Sequence, residues 1–100
     1  MPEYRAVREK LSFLELCHAP EVAAEVTVMA VEQLGVDAAI IFADILLVLE
    51  PMGVGLEFAP GDGPLIHRPV RTRADVDALA RVPAAESLGY VFETDRKSVV

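Results

Sequence analysis

Apolar and polar positions along the chain fall into a helical pattern first and an extended one afterwards. From Leu11 to Gly35, "LSFLELCHAPEVAAEVTVMAVEQLG" repeats its apolar residues every three to four positions, predicting two helices with a break near Pro20. Ser12 and Glu15 have capping-box spacing, in which each side chain satisfies a backbone N–H of the first turn. Pro20 suits the first position of the longer helix because its missing N–H had no partner to lose, although Ala19 is a poor cap. Val22, Val26, Met29, Ala30 and Leu34 fall on one face of that helix, and Gly35 is a natural stop. "DAAIIF", Asp37 to Phe42, is short and apolar, as a strand buried on both faces is. "ILLVLEPMG" reads as a short helix ending near Pro51 to Gly53. "VGLEFAPGDGPLIHRPV" reads as two short strands around a Pro-Gly-Asp-Gly-Pro turn. Thr72 and Asp75 repeat the capping pattern at the head of "TRADVDALA", and "AAESLGYVFET" opens a further helix.

Helix, tight turn and two-sidedly buried strand make an α/β pattern with a parallel sheet. A single such strand plus a hairpin is a poor independent domain, so the chain reads as a slice of a larger α/β protein. Composition narrows the classes. Of 100 residues 53% are hydrophobic, which excludes disorder by low hydrophobicity. The net charge is -7, and the nine Lys and Arg are scattered, densest at Arg68, Arg71 and Arg73, so no nucleic-acid partner is expected. The longest apolar run is interrupted by Asp37 and Asp44 and falls short of the roughly 18 residues of a membrane helix. The charged start "MPEYRAVREKL" is no signal peptide. A single cysteine, Cys17, allows no internal disulfide, in keeping with a reducing compartment; it reads as a core-facing helix residue.

Candidate chemistry centres on Asp44, just past the end of the apolar run. A carboxylate there is costly to desolvate unless paired, hydrated or used. Ligand sites of α/β folds lie beyond the carboxyl ends of the strands, which is where Asp44 falls. The competing reading is an N-cap for the helix starting at Ile45, and spacing alone favours that cap. His18 and His67 are far apart, and no second Cys or His stands at metal-ligand spacing from Cys17, so no metal site is expected. "GVG" and "GDG" do not lie between a strand and a helix and read as turn glycines rather than phosphate loops. Glu3, Glu9, Glu15, Glu21, Glu25 and Glu32 read as solvated helix faces.

The stretch "PEYRAVRE…SFLELCHAPEVAAEVTVMAVEQLGVDAAIIFADIL", with the later "MGVGLEFAPGDGPLIHRPVRTRADVDAL" and "LGYVFE", resembles the N-terminal part of the uroporphyrinogen decarboxylase family. The order and spacing of these segments from Pro2 to about Glu93 carry the resemblance. It implies a (β/α)8 TIM barrel of which this chain is a fragment, comprising N-terminal helices, an early barrel strand at Asp37 to Phe42 and a small hairpin. It implies a soluble, cytoplasmic, cofactor-free enzyme, commonly a homodimer, that removes carbon dioxide from the four acetate side chains of uroporphyrinogen to give coproporphyrinogen. By the same resemblance Asp44 is the catalytic aspartate that receives the pyrrole N–H groups, and Ile40 and Phe42 line the substrate pocket beside it.

Three departures stand out against that family. Ala43 replaces the usual Ser, His18 the usual Arg, and no Arg-Gln-Ala-Gly-Arg segment precedes Pro2, although those arginines bind the substrate carboxylates. The last six residues, Asp95 to Val100, leave the family pattern and match the translation of a common sequencing-adapter read. The expected division is therefore a family domain over 1–94 and an appended tail over 95–100. Two rivals remain: a corrinoid-linked methyltransferase of the same superfamily, against which the Phe42 to Leu46 stretch argues, and a non-catalytic acidic binding module.

Overall fold

The computed structural model describes residues 1–99, in the order α1 (Pro2–Lys10), α2 (Phe13–Cys17), α3 (Pro20–Leu34), a 3-10 turn (Ile45–Val48) running into α4 (Leu49–Met52), β1 (Leu56–Ala59), β2 (Gly63–Ile66), α5 (Arg73–Asp77), α6 (Ala84–Ser87) and α7 (Gly89–Ser98). The chain divides into two compact units. The first is Met1–Asp44 together with the chain from Gly89 onward, and the second is Ile45–Leu88.

In the first unit the helices start where local chemistry dictates. The Ser12 hydroxyl accepts from the Glu15 N–H at 3.2 Å, and the Glu15 carboxylate accepts from the Ser12 N–H at 2.9 Å. Pro20 opens α3, and Gly35 closes it in the left-handed conformation at φ 63°, donating its N–H to the Val31 carbonyl. α3 packs on both α2 and α7. Its buried face is Ala23, Ala24, Val26 and Thr27, joined by Leu16 and Cys17 of α2 and Thr94 of α7. This corrects the expected face in part. Val26 belongs to the core, but Leu34 is 68% exposed, and the alanines replace it because a small-residue surface lets a neighbouring helix approach closely.

α7 continues through Ser98, whose hydroxyl donates to the Thr94 carbonyl at 2.7 Å. Lys97 lies 3.7 Å from Glu21 and 3.6 Å from Glu93, and Arg96 also pairs with Glu93. The Arg96 hydrogen bond, aided by the charges of both cations, holds the Glu93 carboxyl below the usual range. Val99 is 78% exposed, and Val100 lies outside the described residues.

The expected strand at Asp37 to Phe42 does not form. Residues 36–44 are irregular, and the sheet has two strands only among the described residues. A parallel strand is held by hydrogen bonds to parallel neighbours, and among the described residues the strands form an antiparallel pair in the other unit. The segment therefore has no ladder to join.

The second unit holds that pair. β1 and β2 are antiparallel with Leu56 opposite Ile66 and Ala59 opposite Gly63. Pro60 and Gly61 occupy the two central turn positions, and the Asp62 N–H closes the turn onto the Ala59 carbonyl at 3.2 Å. Gly61 has φ 83°, the positive value a type II turn demands at its third residue. Beyond β2 the His67 imidazole meets the Glu57 carboxylate at 2.6 Å, an exposed pair worth little to stability. α5 carries the expected capping box, with Thr72 accepting from the Asp75 N–H at 3.2 Å. The Arg71 N–H, the Thr72 hydroxyl and the Thr72 N–H lower the Asp75 carboxyl below its ordinary value. The helix ends at Asp77, short of the expected length, and the Ala80 N–H turns to the Met52 carbonyl at 3.2 Å. Likewise "AAESLGYVFET" forms two helices, α6 and α7, separated at Leu88.

The burial pattern makes a direct prediction. Leu16→Ala is expected to cost about 2–5 kcal/mol, whereas Leu34→Ala should change stability by less than about 0.5 kcal/mol. Urea unfolding of both variants measures this, and a larger loss at Leu34 than at Leu16 would restore the face expected from sequence.

Candidate active-site segment

The segment after α3 is organised by Phe42. Its ring meets Tyr4 of α1 at 5.9 Å and Phe13 of α2 at 5.8 Å, tilted by 51° and 54°. Tilted aromatic pairs at such separations are favourable beyond the area they bury. The Arg8 guanidinium lies 5.8 Å over the Phe13 ring, extending the stack with a cation. The Phe42 N–H donates to the Thr27 hydroxyl oxygen at 2.9 Å. Thr27 in turn donates to the Ala23 carbonyl at 2.8 Å, which fixes the orientation of its oxygen.

The three residues singled out from the sequence are placed differently. Phe42 faces inward and is half-buried. Ile40, two positions earlier, is 93% exposed. Asp44, two positions later, is half-buried and immediately precedes the 3-10 turn at Ile45–Val48. That location suits both the cap and the ligand-facing readings. Ala43 is exposed. A cavity of about 340 Å³ lies beside the segment, lined by Thr27, Val28, Val31, Asp37, Ala38 and Ala39 among others, and not by Ile40, Phe42 or Asp44. The structure thus seats Phe42, one of the two apolar candidates, and leaves Ile40 exposed.

Cys17 is buried, as its helical position predicts, and the His18 ring packs 4.4 Å from Tyr90. Among the described residues no group of three or more His, Cys, Asp or Glu is gathered as a metal site. None of their helices is long and apolar enough to cross a membrane. Thr27 is the residue that the sequence reading missed. Its one signal there is a hydroxyl set into the apolar run "AAEVTVMAV", four positions after Ala23.

These features define an α/β chain whose one prominent acidic candidate closes an apolar segment anchored by aromatic packing. Residues 1–97 match the uroporphyrinogen decarboxylase (URO-D) family, and the chain belongs to it. It is 57% identical over 97 residues to the uroporphyrinogen decarboxylase of Koribacter versatilis, a match covering 97% of this chain and 27% of that protein. The corresponding proteins of Sorangium cellulosum and Geobacter metallireducens are 54% and 55% identical over 96 and 94 residues, covering 96% and 94% of this chain and 27% of each relative. The chain therefore spans 27% of the length of these curated relatives.

Removing the aromatic anchor should be costly and removing the exposed neighbour should not. Phe42→Ala is expected to destabilise the first unit by about 2 kcal/mol, and Ile40→Ser by less than about 0.5 kcal/mol. Thermal or urea unfolding of the two variants tests the contrast, and equal losses would contradict the placement of both side chains.

Proposed function

We propose that the protein carrying this chain decarboxylates the four acetate side chains of uroporphyrinogen III to give coproporphyrinogen III in porphyrin biosynthesis. The observation that supports this best is family membership over nearly the whole chain, with Asp44 standing directly after the apolar segment. The substrate is a reduced tetrapyrrole with its pyrrole N–H groups turned toward the centre of the macrocycle. In this reading the Asp44 carboxylate accepts hydrogen bonds from those groups.

The chemistry needs such a charge. Protonation of a pyrrole carbon places positive charge on that ring and its nitrogen. The bond from the acetate methylene to its carboxylate then breaks, carbon dioxide departs, and the bonding electrons flow back into the ring. Protonation of the resulting exocyclic methylene, with loss of the proton first added to the ring carbon, leaves a methyl group on a neutral pyrrole. A carboxylate fixed at the pyrrole nitrogens stabilises the cationic stage more than the neutral reactant, which is how preorganised electrostatics lowers a barrier. No cofactor takes part in this scheme.

In a protein of the relatives' length, we place residues 37–42 as an early strand of a (β/α)8 barrel, with Ile40 and Phe42 toward the substrate. The exposure of Ile40 leaves it available for such cover. The same reading makes the enzyme a cytoplasmic homodimer. The names of the relatives favour it over the corrinoid-linked methyltransferase and the acidic binding module.

The decisive test uses an enzyme of that length carrying residues 1–94 of this chain. Asp44→Asn is expected to reduce coproporphyrinogen formation by about 10²–10³-fold with an unchanged circular dichroism spectrum. Near-normal turnover would return Asp44 to the role of a helix cap.

The domain division at residue 94 belongs to this proposal. Deleting residues 95–100 is expected to shift stability by less than about 0.5 kcal/mol, because Asp95, Arg96, Lys97 and Val99 are exposed and the Ser98 hydroxyl bonds within its own helix, to the Thr94 carbonyl. A marked fall in melting temperature would make the last turn of α7 an integral part of the unit.

A further inference from the structure

A threonine within a helix commonly returns its hydroxyl proton to the carbonyl four residues earlier, and Thr27 does so at Ala23. The unusual part is the second bond. With its only proton committed to Ala23, the Thr27 oxygen presents a lone pair, and the Phe42 N–H donates to it from fifteen residues away in sequence. Thr27 is 3% exposed, so water does not compete freely for either bond. Among the described residues, no backbone–backbone hydrogen bond ties residues 37–43 to the rest of the chain. Phe42 is thus held at its backbone by Thr27 and at its ring by Tyr4 and Phe13. Asp44 follows two residues later, within at most about 7 Å of chain.

We infer that Thr27 is a positioning residue for Asp44: its hydroxyl fixes the Phe42 backbone and so sets where the Asp44 carboxylate is presented. The inference rests on the catalytic role proposed for Asp44. Thr27→Val keeps the shape and the burial but offers no acceptor, so the Phe42 N–H, at the last residue of the strand proposed for 37–42, loses the partner that α3 supplies beside Asp44. Thr27→Ser keeps the acceptor and loses only a methyl group. A structural role would follow the packing; a positioning role follows the hydroxyl.

The experiment replaces the matching segment of the Koribacter versatilis relative with residues 1–94 of this chain and measures kcat and KM for coproporphyrinogen formation. Thr27→Val is expected to lower kcat by about 10–100-fold with KM changed less than about two-fold, since substrate binding elsewhere is untouched. Thr27→Ser is expected to keep at least about half of kcat, in line with retention of the acceptor. Normal kcat in Thr27→Val, or equal losses in Val and Ser variants, would overturn the inference while leaving Asp44→Asn to judge the catalytic reading separately. If Asp44→Asn itself turns over normally, the functional reading fails and the inference falls with it. A measurement without any variant guards against misfolding: in the 100-residue chain the Phe42 amide should exchange with deuterium more slowly than those of Ile41 and Ala43. Equal exchange would mean that the hydrogen bond is absent, and the inference would be wrong.

Discussion

A backbone segment without a ladder must satisfy its polar groups and apolar side chains some other way, and that constraint governs the first unit. Residues 37–43 have no strand partner within the described chain. Their position is set at Phe42, where one hydrogen bond to a buried hydroxyl and two ring contacts converge. The contacts come from three successive helices. Tyr4 comes from α1, Phe13 from α2 and Thr27 from α3, so a single residue, through its ring and its backbone N–H, meets three helices. A donor shielded from water and left unpaired is costly, which gives the Thr27 bond its structural weight.

What sequence made legible was largely local. Both capping boxes, at Ser12 with Glu15 and at Thr72 with Asp75, depend on residues three apart and formed as expected. Pro20 and Gly35 bounded α3 for the same reason, since ring closure and positive φ act on the residue that has them. The hairpin was also legible, because a Pro-Gly pair dictates its own turn geometry. The family resemblance was readable over most of the chain and was carried by the order of several segments rather than by one motif.

The misses share a cause, which is dependence on distant partners. The core face of α3 is set by α7, more than fifty residues further on, and periodicity within α3 cannot register that neighbour. Leu34 looked like core and lies open, while Ala23 and Ala24 looked neutral and are buried. α5 stops early because the Ala80 N–H finds Met52 rather than another helical turn. The strand at Asp37 to Phe42 has the right residues for a strand but not the hydrogen-bonding partners, and composition cannot supply those. Thr27 was passed over because a hydroxyl in an apolar run acquires its meaning only from the donor that reaches it.

Electrostatics places a further condition on the proposed chemistry. Uroporphyrinogen is a polyanion, and this chain carries a net charge of -7. Several of its cations are already engaged: Arg96 and Lys97 pair with Glu93, Arg73 pairs with Asp77 at 3.3 Å, and Arg68 donates to the Gly53 carbonyl at 2.9 Å. A site built from these residues alone would repel the substrate rim even as Asp44 met its centre. The two demands are opposite in sign and must be separated in space, with cations around the periphery and one carboxylate beneath the pyrrole nitrogens. In the proposed scheme the second demand is met by Asp44, a half-buried acidic group at the end of an anchored apolar segment. In the function proposed above, the first demand would fall to cations beyond those described here. Catalysis in this scheme is a division of labour in charge, and this chain holds the negative part of it.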